Sequence, residues 1–350
     1  MSNKLEVINK DFEEKFHEVF QKPELIQSFL TNRSKEFDVI IIKAFKKFML
    51  EEDFALVALG GYGRNELFPG SDIDISIIQL TKTTNKIEEI SNFIGWLWTL
   101  NVKIGHSVRT VRDIEKITKS DLKEFTSHLS SRIIFCKPAQ KNKLTKVLSS
   151  FSSGWSKSKF FKAKKKEQSE RFSSFDSTEF SLEPDLKESP GCLRDFQTAL
   201  WILEHCFEAS SLMDCTKLNL FNKKYLVSIN QSYCHIKSLR FLLNLHAKSN
   251  RISFENQLLL AQKSKLKASK KSSAVEHFMR VFFLHAAKLS DFNEMVFRAY
   301  EDQGIALKRA YTSNFYIFRD RIGIQKHVDL SKKPELILDS FLQIGRLKNI

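Results

Sequence analysis

Between residues 54 and 78 the hydrophobic pattern changes period, and this stretch constrains the fold more than any other. Residues 54–59, Phe-Ala-Leu-Val-Ala-Leu, form a short continuous apolar run that stops at Gly60-Gly61, the pattern of a strand buried on both faces. Residues 72–78, Asp-Ile-Asp-Ile-Ser-Ile-Ile, alternate in character and read as a second strand. Helical spacing holds on either side. Phe12, Phe16 and Phe20 make one stripe in residues 1–52, and Ile40, Ala44 and Phe48 make another. Ile87, Ile90, Ile94, Leu97 and Trp98 predict a helix over 85–100, and Asn101–Arg109 reads as a third strand. These elements describe a small mixed α+β unit within residues 53–150, preceded by N-terminal helices.

Beyond residue 110 the chain reads as mostly helical, because Gly (11) and Pro (6) are scarce in 350 residues and turns must be few. Long helices are predicted over 192–207, 222–248 and 272–303, with a Pro-containing loop at 182–191 and a lysine-rich connection at 263–271. Residues 310–318 and 322–324 suggest a short hairpin, followed by a last helix at 333–347. Residues 151–350 form a helical domain in this reading. Lys plus Arg (56) exceeds Asp plus Glu (41), a net charge of +15. With 31 Phe and abundant Lys, that excess fits compositional drift better than nucleic-acid binding, which is not expected. The lysine run at 157–166 is read as a solvated helix face. Five cysteines without CxxC spacing read as reduced thiols, and the charged N-terminus has no apolar signal region. A cytoplasmic protein without membrane contact is expected.

The chemistry is concentrated in Leu59–Ile78. Gly60-Gly61 closes a strand and lets a phosphate approach the backbone, and Arg64 follows at a distance suited to a triphosphate oxygen. Asp72 and Asp74 stand two apart on a strand, so their carboxylates project from one face and repel unless a cation lies between them. Magnesium (Mg2+), with substrate phosphates completing its oxygen shell, is the usual solution.

The run GGYGRNELFPGSDIDI resembles the DNA polymerase β-type nucleotidyltransferase superfamily, and more narrowly the bacterial PII uridylyltransferase (uridylyl-removing) family. The narrower resemblance adds Ile104–Thr110 (IGHSVRT), then Lys164, Glu167, Gln168 and Arg171 on one helix. It also includes Leu182–Lys187 with Pro190-Gly191 and Leu193-Arg194-Asp195, and finally Leu239–His246 with Phe254–Gln257. The segments occur in the family's order from about residue 50 to 330. The resemblance implies a polymerase β-type domain over 53–150 and transfer of uridylyl from UTP to a tyrosine hydroxyl of the nitrogen-signalling protein PII, releasing pyrophosphate. It implies that Asp72 and Asp74 are catalytic and hold Mg2+, and that Gly60, Gly61, Arg64 and Ser71 bind the nucleotide. His106, Arg109 and Arg194 fit either substrate contacts or a hydrogen-bonded framework, and the polar groups of the 182–191 loop leave the same choice open.

Three departures matter. Lys103 stands where the superfamily carries a third carboxylate, which favours a nucleotide- or PII-binding pseudoenzyme as the alternative; another nucleotide or acceptor is the other. Asp113 and Glu66 are the nearest replacements for that acid. Cys192 replaces the second glycine of the family's PGG and would be strained if that position needs positive φ. No His-Asp dipeptide precedes Ile350, so neither an HD nor an ACT domain is expected in these residues, and with them neither uridylyl removal nor direct glutamine sensing.

Overall fold

The computed structural model describes residues 3–303 except 82–85, 101, 151–153, 175–180, 219 and 269–271, together with 309–310, 315–318, 321–324 and 336. Two compact units divide it, Met1–Phe297 and Arg298–Ile350. The first begins with α1 (Asn3–Gln21) and α2 (Ile26–Lys47), then β1 (Phe54–Ala58), the single turn α3 (Gly60–Gly63), β2 (Ile73–Gln79), α4 (Ile87–Trp98) and β3 (Ile104–Thr110). Next come α5 (Val111–Ser120), α6 (Leu122–Leu129), β4 (Arg132–Phe135) and α7 (Pro138–Ser150). The rest is helical: α8 (Lys157–Ser174), α9 (Leu193–Phe207), α10 (Asp214–Lys217), α11 (Lys223–His246), α12 (Phe254–Lys263) and α13 (Ala274–Gln303). The class is mixed α+β.

The four-stranded sheet has the order β3-β2-β1-β4. β1 pairs antiparallel with both neighbours, whereas β2 and β3 run parallel with Ile73 opposite Ile104 and Asp74 opposite Gly105. Side-chain alternation divides the apolar residues between two cores. Leu56, Ala58, Ile73, Ile75 and Ile77 pack with Phe37, Ile41 and Phe45 of α2 and Phe93 and Leu97 of α4. Ala55, Val57, Leu59 and Ile78 pack on the opposite face with Ile114 of α5 and Leu144 of α7. With Ile73, Ile75 and Ile77 sent to the α2/α4 core, β2 presents Asp74 on the other face, which it shares with Ile78.

The strands expected at 54–59, 72–78 and 101–109 and the long helices fall where the sequence placed them. Two details differ. β4 interrupts a stretch read as helical; its four apolar or basic residues are too few to show a period. In α2 the buried stripe runs through Phe37, Ile41, Ala44 and Phe45, with Ile40 and Phe48 only half-buried, because the helix faces both the sheet and the helical region. The C-terminal unit contains β5 (Arg309–Ala310), β6 (Phe315–Phe318) and β7 (Arg321–Ile324), so the expected hairpin carries a third short strand. Apart from Leu336, the helix expected at 333–347 lies outside the described residues.

Helix α11 is the centre of the helical region, buried on most of its circumference, with the Phe241 ring centred 4.1 Å from that of Phe12 of α1 and tilted 40° to it. Its His235 ring lies 4.1 Å from the ring of His285 on α13, and His285 Nδ1 is 3.0 Å from Ser232 Oγ. Burial pushes both imidazoles down, His235 well below the ordinary range and His285 to about 4. The unfolded chain therefore binds protons below about pH 6.5 that the folded chain refuses, so stability is full above that pH and falls towards pH 4. For His285 alone the loss is on the order of 2 kcal/mol, given its partial exposure. Urea midpoints measured from pH 7.5 to 4 are expected to fall across this window, and less steeply in His285→Phe.

Candidate active site

The sheet positions the site at the start of β2. The chain leaves β1 through Leu59, whose N–H donates to the Asp74 carbonyl at 2.9 Å, and turns at Gly60 with φ +55°. The turn closes through Gly63 N–H to Leu59 O and Glu66 N–H to Gly61 O, both 2.9 Å. A Cβ at Gly63 would come within 2.0 Å of the Ser130 carbonyl, so the turn lies directly against the segment leading into β4. Asp74 occupies a slot between two glycines. A Cβ on Gly60 would lie 3.3 Å from Asp74 Oδ2, and one on Gly105 would lie 2.4 Å from Oδ1.

Burial, then the neighbouring carboxylate of Asp72, raise the pKa of Asp74; Lys187 acts against this and Glu124 adds to it. Asp72 itself is exposed. Gly105→Ala therefore tests the slot. Only the far end of a side chain obstructs the added methyl, so the carboxylate rotates and stability changes little. Nucleotidyl transfer is expected to drop by about 10²-fold from the misplaced group, read as initial rate beside a melting curve.

The other anticipated residues have definite partners. Arg64 Nε donates to Glu66 at 2.9 Å and Nη1 to Ser130 Oγ at 3.4 Å. Burial alone would lower the Arg64 pKa and raise that of Glu66; their mutual attraction outweighs it, leaving Arg64 raised and Glu66 lowered. Glu66 also accepts from the Tyr233 hydroxyl and lies 3.5 Å from Lys237 Nζ, so this acid is fully engaged. Asp113 caps α5, accepting from the Thr110 N–H and hydroxyl at 3.1 and 2.7 Å. Both replacements considered for the missing acid thus have structural duties. Lys103 immediately precedes β3, its carbonyl accepting from Ile73 N–H at 2.9 Å.

Ser71 donates to the Phe68 carbonyl at 2.9 Å in the turn before Asp72. His106 is exposed and packs edge-on to Trp98 at 5.9 Å. Arg109 makes a bidentate pair with Glu124 of α6 at 2.8 and 2.9 Å, and Arg194 pairs with Glu188 at 3.1 Å. The structure thus brings Gly60, Gly105, Asp72 and Asp74 together, and holds Arg64, Arg109 and Arg194 in ion pairs.

Two further residues act on Asp74: Glu124, which sequence reasoning did not select, and Lys187, one of the loop groups left open between a framework role and substrate contact. Glu124 carried no signal, being one acid on a short amphipathic helix. Lys187 lay within the quoted 182–191 loop without any indication of direction. That loop is shaped by Asp185, whose carboxylate accepts from the N–H groups of Lys187 and Glu188 at 2.8 and 2.9 Å. It is clipped to residues 250–252 through Leu186 N–H to Asn250 O and Ile252 N–H to Pro184 O, both 2.8 Å. Strain at Cys192 is absent, since its backbone is extended at φ −99°, ψ −168°. The left-handed residue is Gly191, φ +72°, where a Cβ would come within 2.3 Å of the Ala286 carbonyl. Asp195 accepts from Gly191 N–H at 2.7 Å and pairs with Arg171. In the lysine run, Lys164 is the exception to solvation: it is buried, 2.9 Å from Glu167 and over the Trp201 ring.

No group of three or more His, Cys, Asp or Glu side chains able to hold a metal occurs among the described residues. What is present is an acid pair that repels itself, and it fits a hard divalent ion that takes its remaining ligands from water and phosphate. No helix among the described residues is long and apolar enough to cross a membrane.

The family model for GlnD PII-uridylyltransferase matches residues 159–297. The bifunctional uridylyltransferase/uridylyl-removing enzyme of Vibrio campbellii is 31% identical over 347 residues, covering 95% of this chain and 39% of that enzyme. The enzymes of the same name from Pseudoalteromonas translucida and Hydrogenovibrio crunogenus are 34% and 30% identical over 84% and 97% of this chain. The chain spans about two fifths of the length of these curated relatives, 34–40% in the three cases. With its ordered motifs, its glycine-flanked acid pair and this likeness along nearly all its length, the chain is similar to the GlnD PII-uridylyltransferase family, whose model it matches over residues 159–297.

Proposed function

We propose that this chain transfers a uridylyl group from UTP to a tyrosine hydroxyl of a PII-type protein in the cytoplasm, releasing pyrophosphate. The observation that carries the reading is the Asp74 carboxylate in its slot between Gly60 and Gly105, with Asp72 two residues away. The names of the relatives support the uridylyl chemistry and the partner. Five free cysteines favour a reducing compartment.

In this reading the hydroxyl oxygen bonds to the α-phosphorus as the bond to the β-phosphate breaks. The electron pair leaves with pyrophosphate and the hydroxyl proton goes to water. Asp72 and Asp74 would hold Mg2+, which when bound offsets charge on the phosphates. The Gly60 turn keeps side chains out of the phosphate path, and the buried sheet fixes Asp74 so that little reorganisation is needed.

Transfer of label from α-labelled UTP to a PII protein in the presence of Mg2+ is the direct test. Label on PII that depends on Asp74 supports the proposal; an unlabelled PII beside Mg2+-dependent UTP binding overturns it. That second outcome is the pseudoenzyme reading, favoured by one observation: Lys103 stands at the strand start and both Glu66 and Asp113 are engaged elsewhere.

A further inference from the structure

Three cations from separate parts of the helical region act on one another, and one of them, Lys187, acts on Asp74. Lys187 comes from the loop, Arg194 from the first turn of α9, and Arg240 from α11. Burial, then Arg194, then Arg240 among further groups, act on Lys187, and its own ammonium is felt at Asp74. Arg240 lies flat on the Phe68 ring at 4.2 Å, and Phe68 carries the turn that holds Ser71 just before Asp72. The cluster is therefore tied on one side to the Lys187 loop and on the other to the entry of β2.

Few of its charges are joined by direct hydrogen bonds to a carboxylate. Arg194 takes Glu188 at 3.1 Å, leaving Lys187 a more distant share of the same carboxylate at 3.7 Å. Asp185 is hydrogen-bonded to the loop's own N–H groups and acts on Lys187 and Arg240 only through its charge, and Asp195 belongs to Arg171. Arg240 Nε donates to a neutral acceptor, Asn250 Oδ1, at 2.9 Å. Half-buried like charges held together are costly unless a multiply charged anion sits among them. Arg64, the cation that the sequence offered for this duty, is committed to Glu66.

We propose that Lys187, Arg194 and Arg240 form a polyphosphate subsite that holds the terminal phosphates of a nucleoside triphosphate in front of Asp72 and Asp74. The assignment rests on the nucleotidyl-transfer reading for its substrate, but its anion chemistry is testable without turnover. Of the three cations Arg194 alone hydrogen-bonds a carboxylate, while Arg240 donates to an amide, which leaves donors for phosphate oxygens that guanidinium forks suit.

The probe is inorganic tripolyphosphate, titrated calorimetrically into the whole chain in EDTA at fixed salt. Lys187→Gln is expected to weaken binding about 10-fold and Lys187→Gln/Arg240→Gln about 100-fold, while Lys187→Arg keeps most of it and Lys157→Gln, a distant surface lysine, changes nothing. Lys187 is half-exposed, so the single variant folds, and Arg240→Lys keeps charge at the second position if the glutamine variant melts early. Equal binding by wild type and Lys187→Gln, or an equal loss in Lys157→Gln, overturns the subsite. Uridylyl transfer with an unchanged KM for UTP in both Lys187→Gln and Arg240→Lys overturns it too and leaves the transfer reading standing. Lys187-dependent tripolyphosphate binding in a protein that transfers nothing supports the subsite and overturns the transfer reading instead.

Discussion

Asp74→Asn is expected to lower uridylyl transfer by about 10³-fold or more while leaving the melting temperature unchanged or higher. The rate loss follows from removing one of the two charges that would hold the metal, since electrostatic stabilisation of this kind contributes several kcal/mol. The stability sign follows from the site's electrostatics. Burial and then Asp72 push the Asp74 pKa up in the folded protein, so the ionised carboxylate is destabilising at neutral pH. An amide of the same shape relieves that opposition and keeps the slot between Gly60 and Gly105 filled. The pairing of lost activity with retained stability separates a catalytic role from a structural one. Initial rates of label transfer and a thermal melt of the same preparation settle it. Transfer within tenfold of wild type would falsify the role assigned to this carboxylate.

The largest effect on stability is expected from Asp195→Asn. Asp195 is 1% exposed, pairs with Arg171 and accepts from Gly191 N–H, while Asn293 donates to its carbonyl at 2.8 Å. Asparagine keeps an acceptor for Gly191 but removes the buried carboxylate that pairs with the Arg171 guanidinium, which costs about 3–5 kcal/mol. Burial raises the Asp195 pKa, and the charge of Arg171 is the strongest influence opposing that rise. Because Arg171 also donates to the Glu188 carbonyl, the damage reaches the loop that carries Lys187. The KM for UTP should therefore rise together with the fall in urea midpoint. Arg171→Met in the Asp195→Asn background removes the charge that has lost its buried carboxylate and is expected to restore part of the stability. A double-mutant cycle with no coupling would rule out the buried pair as the cause.

How much was legible in the sequence depended on the range of the interaction. The strands at 54–58 and 73–79 were readable because a buried strand writes its burial into consecutive or alternating residues, and the Gly60-Gly61 stop is local. The same alternation identified Asp72 and Asp74 as neighbours on one face. Helices α9, α11 and α13 showed through a lack of breakers. By contrast, β4 is too short to carry a period, and only its pairing with β1 makes it a strand. The offset stripe of α2 reflects two packing partners that no helical wheel contains.

Electrostatic roles followed the same division. The sequence proposed Arg64 as a phosphate ligand from its place after the glycines. Folding places Tyr233 and Lys237, far along the chain on α11, around Glu66, and together they make the Arg64 region a closed network. Cys192 looked strained because two consecutive positions resemble a diglycine; the backbone assigns the positive φ to Gly191 alone. Lys187, Arg240 and Glu124 could not be weighed in advance, since charge strength depends on burial and on neighbours brought from elsewhere.

By itself, then, the sequence determined the first three strands and the long helices, the acid pair and the glycine turn, all written in contacts within a few residues. The tertiary structure decided which charges face Asp74, because desolvation and Coulomb interaction act through space and ignore distance along the chain.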